Sequence, residues 1–143
     1  MSELKKASAG FWVIGIIALI WNGLGVAAYF QQMFMSAEDF AALPELQRNL
    51  LSSQPFWVTA AFAVAVFAGF FAAIMLLLRK RLAVRLSLLS LIAVIIQFSS
   101  YLILDGYLEF IGTQGWIMPL TIPLFAIGFL LIARQFEKAG ALS

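Results

Sequence analysis

The chain has 143 residues, of which 64% are hydrophobic and 11% are charged, whereas soluble domains are about half apolar and a quarter charged. This composition excludes a water-soluble globular fold. The net charge of +2 would suggest nucleic-acid binding in a soluble protein, but in so apolar a chain the placement of the charges reports membrane topology, and no nucleic-acid partner is expected.

The residue types that are missing limit the chemistry. There is no Cys and no His, which excludes disulfides, thiolate chemistry and iron–sulfur ligation and removes the commonest metal ligand and neutral-pH general base. A Gly-rich phosphate loop, a Walker lysine and a carboxylate–histidine ligand set are also missing. We therefore expect no catalytic residues, no metal, no cofactor and no enzymatic activity.

Four long stretches free of Asp, Glu, Lys and Arg predict four transmembrane helices, near residues 10–34, 55–78, 82–104 and 116–133. A helix needs about 20 apolar residues to cross the hydrocarbon core, and it satisfies its backbone groups there, which an open strand cannot do. The chain is thus predicted to be a single all-α domain, an integral membrane four-helix bundle with up-down-up-down topology.

The basic residues indicate the orientation of this bundle. Eight of the nine fall on one side of the predicted spans, and Arg48 alone falls on the other. The positive-inside rule then places both termini in the cytoplasm. The basic turn between the second and third spans, residues 79–85, favours contact with anionic membrane lipid as well.

The first span carries a polar amide, Asn22, on the same helical face as Gly15, Ala18 and Gly25. Such small residues allow another helix to approach closely in a membrane. Trp21 precedes the amide and points about 100° away from it on a helix. We therefore expect Trp21 to be packed or lipid-facing rather than beside Asn22 in one pocket.

The outer segment from residue 34 to residue 54 has apolar residues near helical spacing and begins with Ser36 as a helix N-cap. It predicts an interfacial amphipathic helix, broken at Pro44. Two interpretations remain open, a helix that only lies on the bilayer and a lid over an outward-facing cavity.

The second span contains a stripe of small residues at a spacing of four, which we call the small-residue stripe: Ala61, Ala65, Gly69 and Ala73. This pattern predicts a tight helix contact. The partner is either another helix of the same chain or a second subunit.

The third span places Gln97 on a face with Ser90 and Tyr101, at a depth similar to that of Asn22. An unpaired amide in hydrocarbon is costly, so both amides should point into the bundle. They either form an interhelical hydrogen bond or contact a solute.

The last part of the chain adds an outer loop and the fourth span. Asp105 and Glu109 form an acidic outer rim, interpreted either as exposed carboxylates or as a means of concentrating cations. Pro123 should bend the fourth span, with Thr121 satisfying the backbone group that is freed. The spans contain no Asp or Glu, which argues against proton- or cation-coupled transport.

Several segments resemble short bacterial four-helix inner-membrane proteins that are often labelled sugar transporters. The likeness covers most of the chain and lies in residues 21–29 (WNGLGVAAY), 41–45 (AALPE), 56–63 (FWVTAAFA), 76–81 (LLLRKR) and 90–97 (SLIAVIIQ). The resemblance implies a bacterial inner membrane and supplies no catalytic residues.

Two functions follow as hypotheses. In the first, the protein is a homo-oligomeric passive facilitator or channel for a small neutral solute such as a sugar, since four helices seldom enclose a solute path alone. In the second, it is a non-catalytic accessory or scaffolding subunit, docked through its small-residue stripe on a larger membrane complex.

Overall fold

The computed structural model describes residues 9–104, 106–115 and 117–143, and in these ranges the chain is helical with no strand. The helices are α1 (Ala9–Met33), α2 (Ala37–Ala41), α3 (Glu45–Ser52), α4 (Phe56–Leu77), α5 (Leu82–Ile103), α6 (Tyr107–Gln114) and α7 (Ile117–Lys138). Four of them, α1, α4, α5 and α7, are long and apolar enough to cross a membrane.

The long helices begin and end close to the predicted positions, with one difference. The fourth was predicted to end at residue 133, before the first charge, whereas α7 continues to Lys138. The ring of Phe136 packs edge-on against that of Phe11, with centroids 4.8 Å apart. This contact lies beyond the apolar run, and it stabilises the additional helical turn.

The four long helices form a bundle in which each packs on the next along the chain. The most extensive contact joins α4 to α5, followed by α1 with α4 and α5 with α7. Adjacent helices are antiparallel: Gly15 lies against Leu77, whereas Gly25, further along α1, lies against Val66 of α4. The backbones of α1 and α7 approach much less closely.

At one end of the bundle, which we call the short-turn end, residues 78–81 connect α4 to α5 and residues 139–143 fold back onto this connection. The Ser143 N–H donates to the Arg79 carbonyl at 2.8 Å, and the Arg81 N–H donates to the Ser143 carbonyl at 2.8 Å. Leu142 is only 1% exposed and joins the apolar core around Leu76. The short-turn end is therefore closed by densely packed side chains.

At the opposite end, which we call the loop end, the chain forms α2, α3 and α6. The Ser36 hydroxyl accepts a hydrogen bond from the Asp39 N–H at 3.1 Å, so the predicted N-cap is confirmed. The predicted break is present too, since α3 starts directly after Pro44. Arg48 Nη1 donates to the carbonyl of Ala41, the last residue of α2, at 2.8 Å and ties the two short helices together.

The loop end is held to α6 by a close approach that needs glycine. Gly106 has a φ of +87°, which side chains with a Cβ rarely adopt. A Cβ at this position would also lie 3.1 Å from Cδ2 of Leu50, which is buried in α3. The second loop is thus pressed against α3.

Candidate functional site: a cavity between the long helices

The bundle contains a cavity of about 460 Å³ between the long helices, bounded by α1, α4, α5 and α7 and by α3 at the loop end. Pockets for small molecules typically have about 300 to 1,000 Å³. Its wall is mostly apolar, with a few amide and hydroxyl groups. None of the described residues that line it carries a charge.

The structure brings together on this cavity all the polar and aromatic residues that were selected from the sequence in the first and third spans: Trp21, Asn22, Ser90, Gln97 and Tyr101. They come from α1 and α5, which do not neighbour each other along the chain. Two residues of the small-residue stripe, Ala65 and Gly69, complete the wall between them.

Asn22 is anchored through its own helix. Its Nδ2 donates to the Ala18 carbonyl at 2.8 Å, and its Oδ1 occupies the place where a Cβ on Gly69 would be. Glycine at this position of α4 therefore makes room for the amide. Within the described part of the chain, Asn22 Oδ1 has no hydrogen-bond donor, and both Asn22 and Gly69 line the cavity.

Ser90 and Gln97 differ in how they are held. The Ser90 hydroxyl donates to the Ala65 carbonyl at 2.7 Å and straps α5 to α4. The half-buried side chain of Gln97 forms no hydrogen bond with any described residue, although its backbone carbonyl accepts one from Ser100 at 2.6 Å. The interhelical bond considered for the Asn22 and Gln97 amides is not formed among these residues. Two amides therefore face the cavity with unused hydrogen-bonding capacity.

Trp21 is both packed against another helix and part of the cavity wall, two positions that were expected to exclude each other. Its indole stacks on the ring of Phe125 from α7, with centroids 4.6 Å apart and planes 22° from parallel, so it is packed as expected. It nevertheless borders the same cavity as Asn22. The reason is the wide gap between the backbones of α1 and α7, which the two stacked rings bridge.

The small-residue stripe is buried inside the chain. Gly69 and Ala73 are buried, and Ala61 and Ala65 are at most 7% exposed. The stripe contacts α5 through the Ser90 bond and α1 through Asn22. The question left open by the sequence is thus answered in favour of the same chain, and docking on a larger complex would need another surface.

Sequence reasoning did not identify the part of the wall that α3 supplies. The contributing residues are Gln47, Leu50 and Leu51, with Gln54 just beyond the helix. Gln54 Nε2 donates to Thr59 Oγ1 at 2.9 Å, which fixes it at the start of α4. The sequence pattern indicated that α3 has an apolar face, but it did not indicate what that face covers. In the structure, residues of α3 line the loop end of the cavity.

The remaining candidates lie elsewhere. Asp105 is outside the described residues, and Glu109 is exposed on α6 away from the cavity wall. The expectation for Thr121 is wrong in detail: its hydroxyl donates to the Ile117 carbonyl at 2.6 Å, whereas Pro123 frees the carbonyl of residue 119. The helix continues through Pro123.

This arrangement suits hydrogen bonding to an uncharged group together with apolar contact. No group of three or more acidic, His or Cys side chains that could hold a metal ion comes together in the described ranges. No family model, no curated protein and no solved structure matches the chain. The fold and the site define a helical protein with four apolar, membrane-length helices around an uncharged cavity.

Proposed function

We propose that the protein is an integral membrane protein that binds a small uncharged solute in this cavity and facilitates its passage. The observation that carries the proposal is the pair of amides, Asn22 and Gln97, which border an otherwise largely apolar cavity and whose free atoms have no hydrogen-bond partner among the described residues. Polar groups in such surroundings are normally paired, so a ligand or water must supply the missing bonds. The absence of charge from the described wall favours a neutral ligand.

The proposed orientation follows from the charges. Arg79, Lys80 and Arg81 lie at the short-turn end, and Arg48 lies at the loop end with most of the acidic residues. The positive-inside rule then places the short-turn end and both termini in the cytoplasm. By the resemblance noted above, the membrane is a bacterial inner membrane. The cavity, roofed by α3, would face outward while the cytoplasmic end is closed.

A facilitator built this way does not require an oligomer to form its path. The cavity lies within one chain, so the argument that four helices need further copies to enclose a solute no longer applies. Passage instead requires the packed side chains at the short-turn end to separate. Self-association and contact with membrane lipid remain part of the proposal, because the outer faces of the long helices are apolar.

Orientation is testable by labelling, since the natural chain has no Cys. We expect Ser53→Cys, beyond α3, to react with a membrane-impermeant maleimide on intact spheroplasts. Lys138→Cys, at the end of α7, should react only after permeabilisation, because both side chains are exposed but on opposite sides. Labelling of both positions without permeabilisation would contradict the proposed topology.

The function is tested by Asn22→Leu in liposomes. The variant keeps the branched shape and the number of heavy atoms of the side chain but removes the amide from the cavity, so we expect flux of neutral solutes to fall at least about tenfold, which corresponds to about 1.4 kcal/mol in binding. Glycerol and glucose uptake, followed by vesicle swelling, would measure this.

The matched control is Gln31→Leu, which removes an exposed amide from the same helix outside the cavity wall. It should leave the flux unchanged. Undiminished flux in Asn22→Leu and in Gln97→Leu would show that the amides are structural, and an inactive natural protein would overturn the facilitator proposal.

A further inference from the structure

The cavity reaches the side of the bundle between α1 and α7, at a boundary that we call the α1–α7 seam: Trp21, Leu24 and Ala28 on α1 and Ile122 and Phe125 on α7. All five residues line the cavity. Leu24 is also 64% exposed on the outer surface of the bundle, and Ala28 is exposed as well. A side chain that belongs both to the cavity wall and to the outer surface marks an opening.

This opening lies at the depth of the hydrocarbon in a membrane-inserted bundle. Leu24 is nine residues before Met33, the last residue of α1, which at about 1.5 Å per residue places it about 14 Å below the loop end of the helix. The hydrocarbon core is about 30 Å thick. The opening therefore extends towards the middle of the bilayer rather than remaining at the aqueous mouth.

Among the neighbouring pairs of long helices, α1 and α7 have the least extensive backbone contact. Each of the other neighbouring helix pairs packs along its backbone, whereas α1 and α7 meet through side chains. Beside the cavity these are the stacked rings of Trp21 and Phe125, and nearer the short-turn end they are the edge-to-face rings of Phe11 and Phe136 within a small apolar core. Widening the seam beside the cavity would therefore require movement of side chains rather than the breaking of a close backbone contact.

The distribution of polar groups along this route matches one kind of ligand. The seam is lined by apolar and aromatic side chains, and the free amide atoms of Asn22 and Gln97 lie inside. A polyhydroxylated solute that crossed the seam would leave most of its hydroxyl groups unpaired there, at a considerable cost for each. A molecule with one uncharged polar group and an apolar body would match both the apolar seam and the amides inside the cavity.

Building on the proposed function, we infer that the ligand is a neutral amphiphile, with a hydroxyl, carbonyl or amide head and an apolar chain, which reaches the cavity from the outer leaflet through the α1–α7 seam. Its head accepts from or donates to the amides of Asn22 and Gln97. Its chain lies along Leu24, Ala28 and Ile122. Phospholipids do not fit, because their charged heads would find no counter-charge among the described lining residues.

The experiment is photolabelling of the full chain in phosphatidylcholine vesicles with a long-chain primary alcohol that carries a diazirine close to its hydroxyl group, the end that would lie beside Asn22 and Gln97. A monosaccharide with the same diazirine serves as the water-soluble probe. We expect the alcohol to label Ala65 and Val94, which line the cavity and are at most 5% exposed. Lipid outside the bundle cannot reach these residues, so their labelling reports entry.

The route is tested by Ala28→Trp, which fills the seam and should lower labelling of Ala65 and Val94 by the alcohol at least about tenfold. Ala27→Trp is the matched control, since Ala27 is also exposed on α1 but does not line the cavity. It should leave the labelling unchanged. Thermal unfolding of both variants would verify that they fold alike.

The outcomes separate this inference from the proposed function. Cavity labelling by the monosaccharide and not by the alcohol would overturn the inference and leave a facilitator of polar solutes standing. Equal labelling by the alcohol in Ala28→Trp and in Ala27→Trp would overturn the seam as the route. Failure of both probes to label the cavity in the natural protein would overturn both proposals.

Discussion

Gly69→Ala is expected to destabilise the protein by about 1 to 3 kcal/mol, the range found when extra atoms are forced into a packed core. The added Cβ would overlap Asn22 Oδ1 and lie 3.1 Å from the Ser90 hydroxyl oxygen. Either the amide must leave its place or α1 must move away from α4. Reversible unfolding in mixed micelles would measure the change in the free energy of unfolding.

Gly128→Ala is the control for this prediction. Gly128 also lies within a long helix, α7, but nothing comes within 4 Å of a Cβ built there. Because alanine favours a helix over glycine by up to about 1 kcal/mol, this variant should be as stable as the natural protein or more so.

A double-mutant cycle identifies the cause of the Gly69→Ala effect. In Asn22→Ala the overlapping oxygen is gone, so adding Gly69→Ala to that variant should cost clearly less than it does in the natural protein. Residues in contact commonly show coupling of about 0.5 to 3 kcal/mol. Additive effects would mean that the side chain of Asn22 does not occupy the space above Gly69.

Leu142→Ala should lower the free energy of unfolding by about 2 to 5 kcal/mol, as for other buried leucines. Leu142 is 1% exposed and packs in the core at the short-turn end. The backbone of its neighbour Ala141 is tied to the connection between α4 and α5, since Arg79 Nε donates to the Ala141 carbonyl at 2.9 Å. Loss of the leucine would leave a cavity and loosen residues 139–143.

The control here is Leu131→Ala, because Leu131 is 58% exposed on α7. It should change stability by no more than about 0.5 kcal/mol in detergent. A second readout is tryptic cleavage after Lys138, which should become faster in Leu142→Ala alone. If the two variants unfold alike and are cleaved alike, residues 139–143 are not part of the closed end.

The local features of the chain could be predicted because they depend on near neighbours in sequence. Charge-free runs of membrane length placed the four long helices, and Ser36 with Pro44 placed the short ones. The direction of Asn22 and Gln97 into the bundle followed from the cost of an unpaired amide in hydrocarbon. The small-residue stripe showed which face of α4 would be approached closely, though not by what.

Only the tertiary structure decided which of these elements meet. Whether Gly69 receives a side chain of α1 or a second subunit, whether α3 covers a cavity, and whether residues 139–143 return to Arg79 depends on packing between segments far apart in sequence. The gap between α1 and α7 is of the same kind, because it lies between helices that no local pattern connects and is bridged by Trp21 and Phe125. Helix formation is settled within a few turns by hydrophobicity and capping, whereas a cavity exists only as the space that several such helices leave between them.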